Sequence, residues 1–364
     1  VLSRSPGYLA EPELTAADAL VASQPDAGSI SLFRTDPQDA VIEQVAQIDL
    51  EDGGGLVDGL FLAEPNGQKL LLGIGQNRGP VPWELFAVDY YWQAGSTRIT
   101  AWDVNNATAP VTSWTLELDG ALLTSRRIEN ILYVVTRYAP TVEGVNPFPA
   151  NAAEEDANKA ILDAVPLDNL LPDVRLDGGE PQELLQVDNC YLPNPDYEGL
   201  TLPVAGGSLI TVTAIDLTSP GSTRSICLNT FASGFYASLQ SLYITANGSQ
   251  DSTILHKISL NNGDPQYRGS GEVSGYIGTA NPSYLMSEQD KDLRVLSSSW
   301  EGQFFPLPVM DLDAADSETQ APEEDFVVHR LTILRESSDG TRLEKIAQLP
   351  NSERPAHILS LIHI

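Results

Sequence analysis

The sequence predicts an all-β protein built from repeats of a four-stranded antiparallel sheet. Three observations lead to it. One whole unit is legible at Thr253–Ser298, words from such units recur elsewhere, and 364 residues exceed an ordinary single core but suit an array of small sheets.

The unit Thr253–Ser298 reads as four strands and their turns. Apolar alternation at Ile254, His256, Ile258 and Leu260 stops at the turn cluster Asn261, Asn262, Gly263, Asp264 and Pro265. A second strand follows at Gln266–Gly271. Then come Glu272–Ile277, Ser283–Ser287 behind Asn281 and Pro282, and Leu293–Ser297 behind the charged turn Gln289–Asp292. Such a sheet cannot bury both faces alone, so neighbouring units must cover it.

In chain order, Val1–Gly28 is rich in Ala, Pro, Glu and Asp and is expected to be a connector with a short helix over Glu13–Ser23. Strand signals at Ile30–Arg34, Val41–Leu50, Gly59–Ala63 and Gln68–Ile74 form a first four-stranded unit. Leu85–Tyr91, Arg98–Val104, Val111–Leu118, Leu122–Ile128 and Ile131–Arg137 form a second. ITAWDV at Ile99–Val104 is echoed by VTAIDL at Val212–Leu217, and NILYVVT at Asn130–Thr136 by SLYITA at Ser241–Ala246. One unit therefore spans about 45 residues, the spacing of propeller blades. An insertion, 138–207, separates the copies. Pro140, Pro147 and Pro149 exclude regular structure near its start, and Ala152–Val165 is predicted to be an amphipathic helix with acids in its first turn. The insertion is expected to pack across one face of the array. Leu209–Ala246 is the third unit and Thr253–Ser298 the fourth. After an acidic loop, Phe326–Leu334 and Leu343–Leu349 begin a fifth.

ITAWDVNNATAPV (Ile99–Val111), ALLTSRRIENILYVVT (Ala121–Thr136), LITVTAIDL (Leu209–Leu217) and YASLQSLYITA (Tyr236–Ala246) occur in order, followed by TILHKISL (Thr253–Leu260), YRGSGEVSGYI (Tyr267–Ile277) and LRVLSSS (Leu293–Ser299). This set resembles the bacterial secreted proteins with a C-terminal β-propeller domain, a family distantly similar to WD40 propellers. The resemblance covers Ile30–Pro355. It implies a propeller of four-stranded antiparallel blades, here truncated at its C-terminal side, together with export from the cytoplasm and no established activity. The expected domain is 29–358. One departure is the polar turn in MSEQDKDLRV.

Twenty Lys plus Arg against 50 Asp plus Glu, a formal charge of −30, exclude nucleic acid and an anionic membrane surface as partners, since both need clustered cations. No apolar run reaches the roughly 20 residues of a membrane span. Val1 is not a start methionine, so a signal or lipid anchor is expected to lie outside these residues. Residues 359–364, LSLIHI, match one translated frame of a transposon end used in preparing sequencing libraries. They are read as foreign, which removes His363 from any site.

Cys190 and Cys227 permit one disulfide, and two buried thiols fit the sequence equally well. His256 and His329 share the contexts HKI and HRL, which favours an equivalent structural position; His357 supports nothing. GSGEVSG at Gly269–Gly275 contains serines but no neighbouring base, so its glycines are read as backbone freedom at a bulge or blade crossing. The acid clusters Asp49–Asp58 and Asp311–Asp325 lack the order of an EF-hand loop and read as solvated surface. Among Trp83, Trp92, Trp102, Trp114 and Trp300, Trp102 and Trp114 alternate within strands as packing residues. Trp92, beside Tyr90 and Tyr91, is the best carbohydrate contact. No catalytic, cofactor or metal residue is assigned. The first reading is a secreted or periplasmic non-enzymatic binding module for a protein or carbohydrate. The alternative is an extracytoplasmic hydrolase or metal-assisted enzyme at the propeller channel, which needs His256 gathered with carboxylates at the axis.

Overall fold

A computed structural model describes residues 19–26, 28–36, 41–50, 57–78, 95–146, 148–193, 208–248, 251–278, 282–301 and 326–350. The first sheet holds β1 (Ala19–Asp26), β2 (Ser29–Asp36) and β3 (Val41–Asp49). The second holds β4 (Val57–Ala63), β5 (Leu70–Arg78), β6 (Gly95–Asp103) and β7 (Val111–Asp119), and the third begins with β8 (Ala121–Ile128) and β9 (Ile131–Tyr138). The insertion follows, with helix α1 (Ala152–Ala164) and three short strands, β10 (Asp173–Leu176), β11 (Gln182–Glu183) and β12 (Cys190–Tyr191). β13 (Leu209–Asp216) and β14 (Thr223–Leu228) then complete the third sheet. The fourth is β15 (Ala232–Ala237), β16 (Ser241–Asn247), β17 (Ser252–Ser259) and β18 (Gln266–Ser274). The fifth is β19 (Met286–Gln289), β20 (Asp292–Glu301), β21 (Phe326–Glu336) and β22 (Leu343–Leu349).

Period-2 alternation makes each inner sheet two-sided. On β9, Leu132 and Val134 enter the core shared with the second sheet, while Tyr133 and Val135 enter the core shared with the fourth. On β5, Leu71 faces the first sheet and Leu70, Leu72 and Ile74 face the third. Strands covered on both faces read as continuous apolar runs, which is why LLLGI and ILYVV show no polar alternation. Each such side chain contributes about 1.5–3 kcal/mol by leaving water. Four cores therefore join five sheets in sequence order. Polar pins cross two of the junctions: Gln76 Nε2 donates to the Leu122 carbonyl at 3.1 Å, and Arg126 Nη1 to the Ala237 carbonyl at 2.7 Å.

Four expectations need correction. The repeat is present, but its frame is displaced by two strands. Thr253–Ser298 is not one sheet: β17 and β18 close the fourth and β19 and β20 open the fifth. The echoes hold in the new frame, because ITAWDV and VTAIDL are third strands and NILYVVT and SLYITA are second strands of the following sheets. A sequence repeat carries a period but no phase; strand pairing supplies the phase. Gln266–Gly271 and Glu272–Ile277 are one strand, β18, through Ser274.

Secondly, Ala19–Ser23 forms part of β1, paired antiparallel with β2, and not a helix in a connector. Thirdly, the insertion packs on the array through Leu184 and Leu185 but also lends it edges. β10 pairs antiparallel with β7, and β12 pairs in parallel with β14. Helix α1 forms as expected, capped by Asn151, whose side chain accepts from the amides of Ala153 and Glu154 at 3.1 Å each, but none of its residues is buried. Fourthly, the two histidines are not equivalent. His256 faces the third sheet, whereas His329, paired with Ser298, faces away from the fourth and is exposed. One residue of offset inverts the face of a strand residue, and the HKI and HRL words differ by that offset.

Candidate functional site

The β17–β18 hairpin carries His256 and Lys257 on opposite faces. Its register places His256 directly opposite Ser270, and one residue later β18 bulges, so that Lys257 faces both Arg268 and Gly269. Gly269 has φ +108°, and a Cβ there would run into the backbone of Thr341 and Arg342 on the fifth sheet. The glycines of GSGEVSG thus act at a bulge and a sheet crossing.

On the face toward the third sheet, His256 is 8 % exposed. Its Nδ1 lies 3.1 Å from the Tyr267 hydroxyl and 3.0 Å from Ser270 Oγ, and its Nε2 lies 3.3 Å from Thr230 Oγ1. The Tyr267 and Ser270 hydroxyls also bond to each other. Burial among neutral groups holds the imidazole down to about 4, so it is uncharged at neutral pH, and burial pushes the Tyr267 phenol up. The base missing from the sequence around Ser270 is therefore supplied across the hairpin. Among the described residues no carboxylate is hydrogen-bonded to His256, although Glu272 lies on the same face two residues along β18, and the Ser270 hydroxyl is shared with Tyr267, unlike a nucleophile–base–acid relay.

The opposite face holds a second cluster that sequence reasoning missed. Lys257 Nζ lies 3.3 Å from Glu288 Oε1 and 3.3 Å from Glu336 Oε2, while Arg268 Nε donates to Glu336 Oε1 at 2.9 Å. Glu288 also accepts from Tyr243 Oη at 2.7 Å, from Ser241 Oγ at 3.1 Å and from Ser238. Two cations and two carboxylates balance at the junction of the fourth and fifth sheets, Lys257 and Glu288 buried, Arg268 and Glu336 partly exposed. Burial opposes the ionised form of Glu336, but Arg268 and Lys257 outweigh it and hold its carboxyl below the usual range; burial and Glu288 push the Tyr243 phenol far up. The available signal was a lysine inside the apolar alternation TILHKISL. Its partners are 31 and 79 residues away (288 − 257 and 336 − 257), beyond any local pattern.

A small cleft of about 20 Å³ lies between the first strands of two adjacent sheets, β8 and β15. Phe235, Tyr133, Val135 and Leu242 form its walls, and Thr124 and Ser125 bring hydroxyls. The Tyr133 hydroxyl is committed elsewhere, donating to the Leu260 carbonyl and accepting from the Gly263 amide at 2.9 Å each.

Cys190 and Cys227 are joined as a disulfide between β12 and the edge of the third sheet, with Cα atoms 4.5 Å apart. Tyr191 follows, its ring 4.7 Å from that of Tyr267. Trp102 and Trp114 are buried in the cores on either side of the second sheet. Trp300 is in β20; Trp83, Trp92, Tyr90, Tyr91, His357, Leu85–Tyr91, most of Asp49–Asp58, all of Asp311–Asp325 and residues 359–364 lie outside the described residues. Among the described residues, no group of three or more His, Cys, Asp or Glu is placed to hold a metal ion, and no helix is long and apolar enough to cross a membrane.

Comparison with solved structures returns Saccharomyces cerevisiae Sqt1 (9 % identity, TM-score 0.30, covering 92 % of this chain and 70 % of that one). It also returns the uncharacterized protein lmo1340 of Listeria monocytogenes EGD-e (10 %, 0.27, 81 % and 74 %) and a mutant apocarotenoid oxygenase of Synechocystis (9 %, 0.27, 94 % and 60 %). No curated protein matches the chain. A family profile described as a beta propeller domain matches residues 12–361, nearly the whole length, in agreement with the succession of antiparallel sheets. The chain belongs to the beta propeller domain family.

Proposed function

We propose that the chain is an extracytoplasmic, non-enzymatic binding module that takes a carbohydrate in the cleft between β8 and β15. The lining of the cleft carries this reading: the rings of Phe235 and Tyr133 stand beside the hydroxyl-bearing Thr124 and Ser125, as in sites that stack sugars on aromatics. The disulfide supports an oxidising compartment. Buried His256 and Lys257 are engaged in internal networks, which speaks against their use in turnover.

Titration calorimetry against a panel of neutral oligosaccharides tests the reading. At least one is expected to bind, with affinity falling tenfold or more in Phe235→Ala. Binding that ignores this substitution sinks the cleft, and a panel without binders sinks the carbohydrate in favour of a protein ligand. A hydrolase is the second reading, favoured by the 3.0 Å approach of His256 to Ser270. Cleavage of chromogenic esters that disappears in Ser270→Ala would replace the first reading with it.

A further inference from the structure

We propose that the Cys190–Cys227 disulfide is a reducible latch that holds Tyr191 as a cover on the Tyr267–His256–Ser270 cluster. The strand it fastens is too short to hold itself. β12 is two residues long and meets β14 in two register pairs, Cys190 with Cys227 and Tyr191 with Leu228. A further backbone bond runs from the Asn229 amide to the Tyr191 carbonyl at 2.9 Å. On the N-terminal side the chain is next anchored at Leu184 and Leu185, buried in the core between the second and third sheets. Residues 186–193 thus form a strap that leaves the core at Leu185 and is tied down again at Cys190.

The tie is transmitted to the cluster through rings. Tyr191 lies against Tyr267, the Tyr267 ring lies 6.1 Å from that of His256, and its hydroxyl bonds to both His256 and Ser270. Nothing in the sheet needs the strap. β14 pairs with β13 over six residue pairs and β13 with β9 over eight, so the third sheet persists when β12 leaves.

Burial sets the direction of the exchange. Cys227 is fully buried whereas Cys190 is partly exposed, so a dithiol reductant attacks Cys190 Sγ. The S–S bond breaks, Cys227 leaves as a thiolate and takes a proton, and a mixed disulfide forms at Cys190. The reductant's second thiolate resolves it, releasing Cys190 as a thiol and the reductant as its own disulfide. Two electrons and two protons pass to the protein. Because the departing Cys227 sits in an apolar core that disfavours a thiolate, exchange needs a strong dithiol.

The test follows acylation of histidine by diethyl pyrocarbonate, read by mass spectrometry on the whole chain before and after dithiothreitol, with thiols alkylated. Exposed His329 is the internal reference. The modification rate of His256 is expected to rise at least tenfold on reduction while that of His329 stays constant. Tyr191→Ala is expected to raise the His256 rate with the disulfide intact. An unchanged His256 rate after reduction overturns the latch, as does a parallel rise at both histidines, which marks general loosening. Protection that survives Tyr191→Ala overturns the assignment of the cover. Cys190→Ala/Cys227→Val, tested without reductant, must reproduce the reduced behaviour.

Discussion

Acid should weaken this protein at His256 in a way that one substitution isolates. The imidazole is 8 % exposed, its bonded partners are the hydroxyls of Thr230, Tyr267 and Ser270, and burial sets its shift, although the hairpin register puts Glu272 on the same face. Burial lowers it from 6.5 to about 4. At about 1.4 kcal/mol per tenfold, this difference between folded and unfolded chains amounts to about 3 kcal/mol. The folded value is the depressed one, so the unfolded chain binds the extra proton between pH 6.5 and 4. The contribution is complete above 6.5, declines as pH falls through that window and is gone below about 4. Fifty Asp and Glu titrate in the same region, so the informative quantity is the difference between the native chain and His256→Asn, which cannot take up the proton. Denaturant unfolding at a series of pH values should show the native chain's advantage shrinking by about 3 kcal/mol between pH 7.5 and 4. A constant difference, or an NMR titration in which His256 protonates between pH 6 and 7, would refute the reasoning.

Lys257→Met leaves Glu288 buried without its cation and should cost about 3–5 kcal/mol; Lys257→Met/Glu288→Gln should recover part of the loss, and a single variant as stable as the native chain would contradict a buried ion network. Gly269→Ala, with φ +108° and the Thr341 backbone in the way, should cost more than about 2 kcal/mol, while Gly178→Ala, at φ +68° in open space, should cost about 1; equal unfolding midpoints would contradict the crossing. Trp102→Ala, in the core between the first and second sheets, should cost about 3–5 kcal/mol by the same measurement, and a loss below 1 would remove Trp102 from that core.

The polar junctions suggest how a stack of similar sheets keeps one order. The apolar cores are built from interchangeable Leu, Ile and Val, but Arg126 reaches Ala237 only at the third junction, and Lys257 finds Glu288 and Glu336 only at the fourth. Buried polar groups that match one neighbour alone penalise any other arrangement.

By itself the sequence determined the strand period, turns such as Asn261–Pro265 and the all-β repeat, because alternation, Asn-Gly and Pro clusters act over a few residues. It also marked the helix of the insertion through its amphipathic pattern and the acids of its first turn, and Trp102 and Trp114 as packing residues. Only the tertiary structure decided which strands share a sheet. The period is local, whereas the phase depends on which edges meet. The same limit hid the site: Ser270 and His256 become neighbours through hairpin register, Lys257 meets its carboxylates across a sheet junction, and Tyr191 reaches Tyr267 through a disulfide. Each is a contact between residues remote in sequence, and whether a polar residue in an apolar strand is a flaw or a partner depends on what the next sheet places against it.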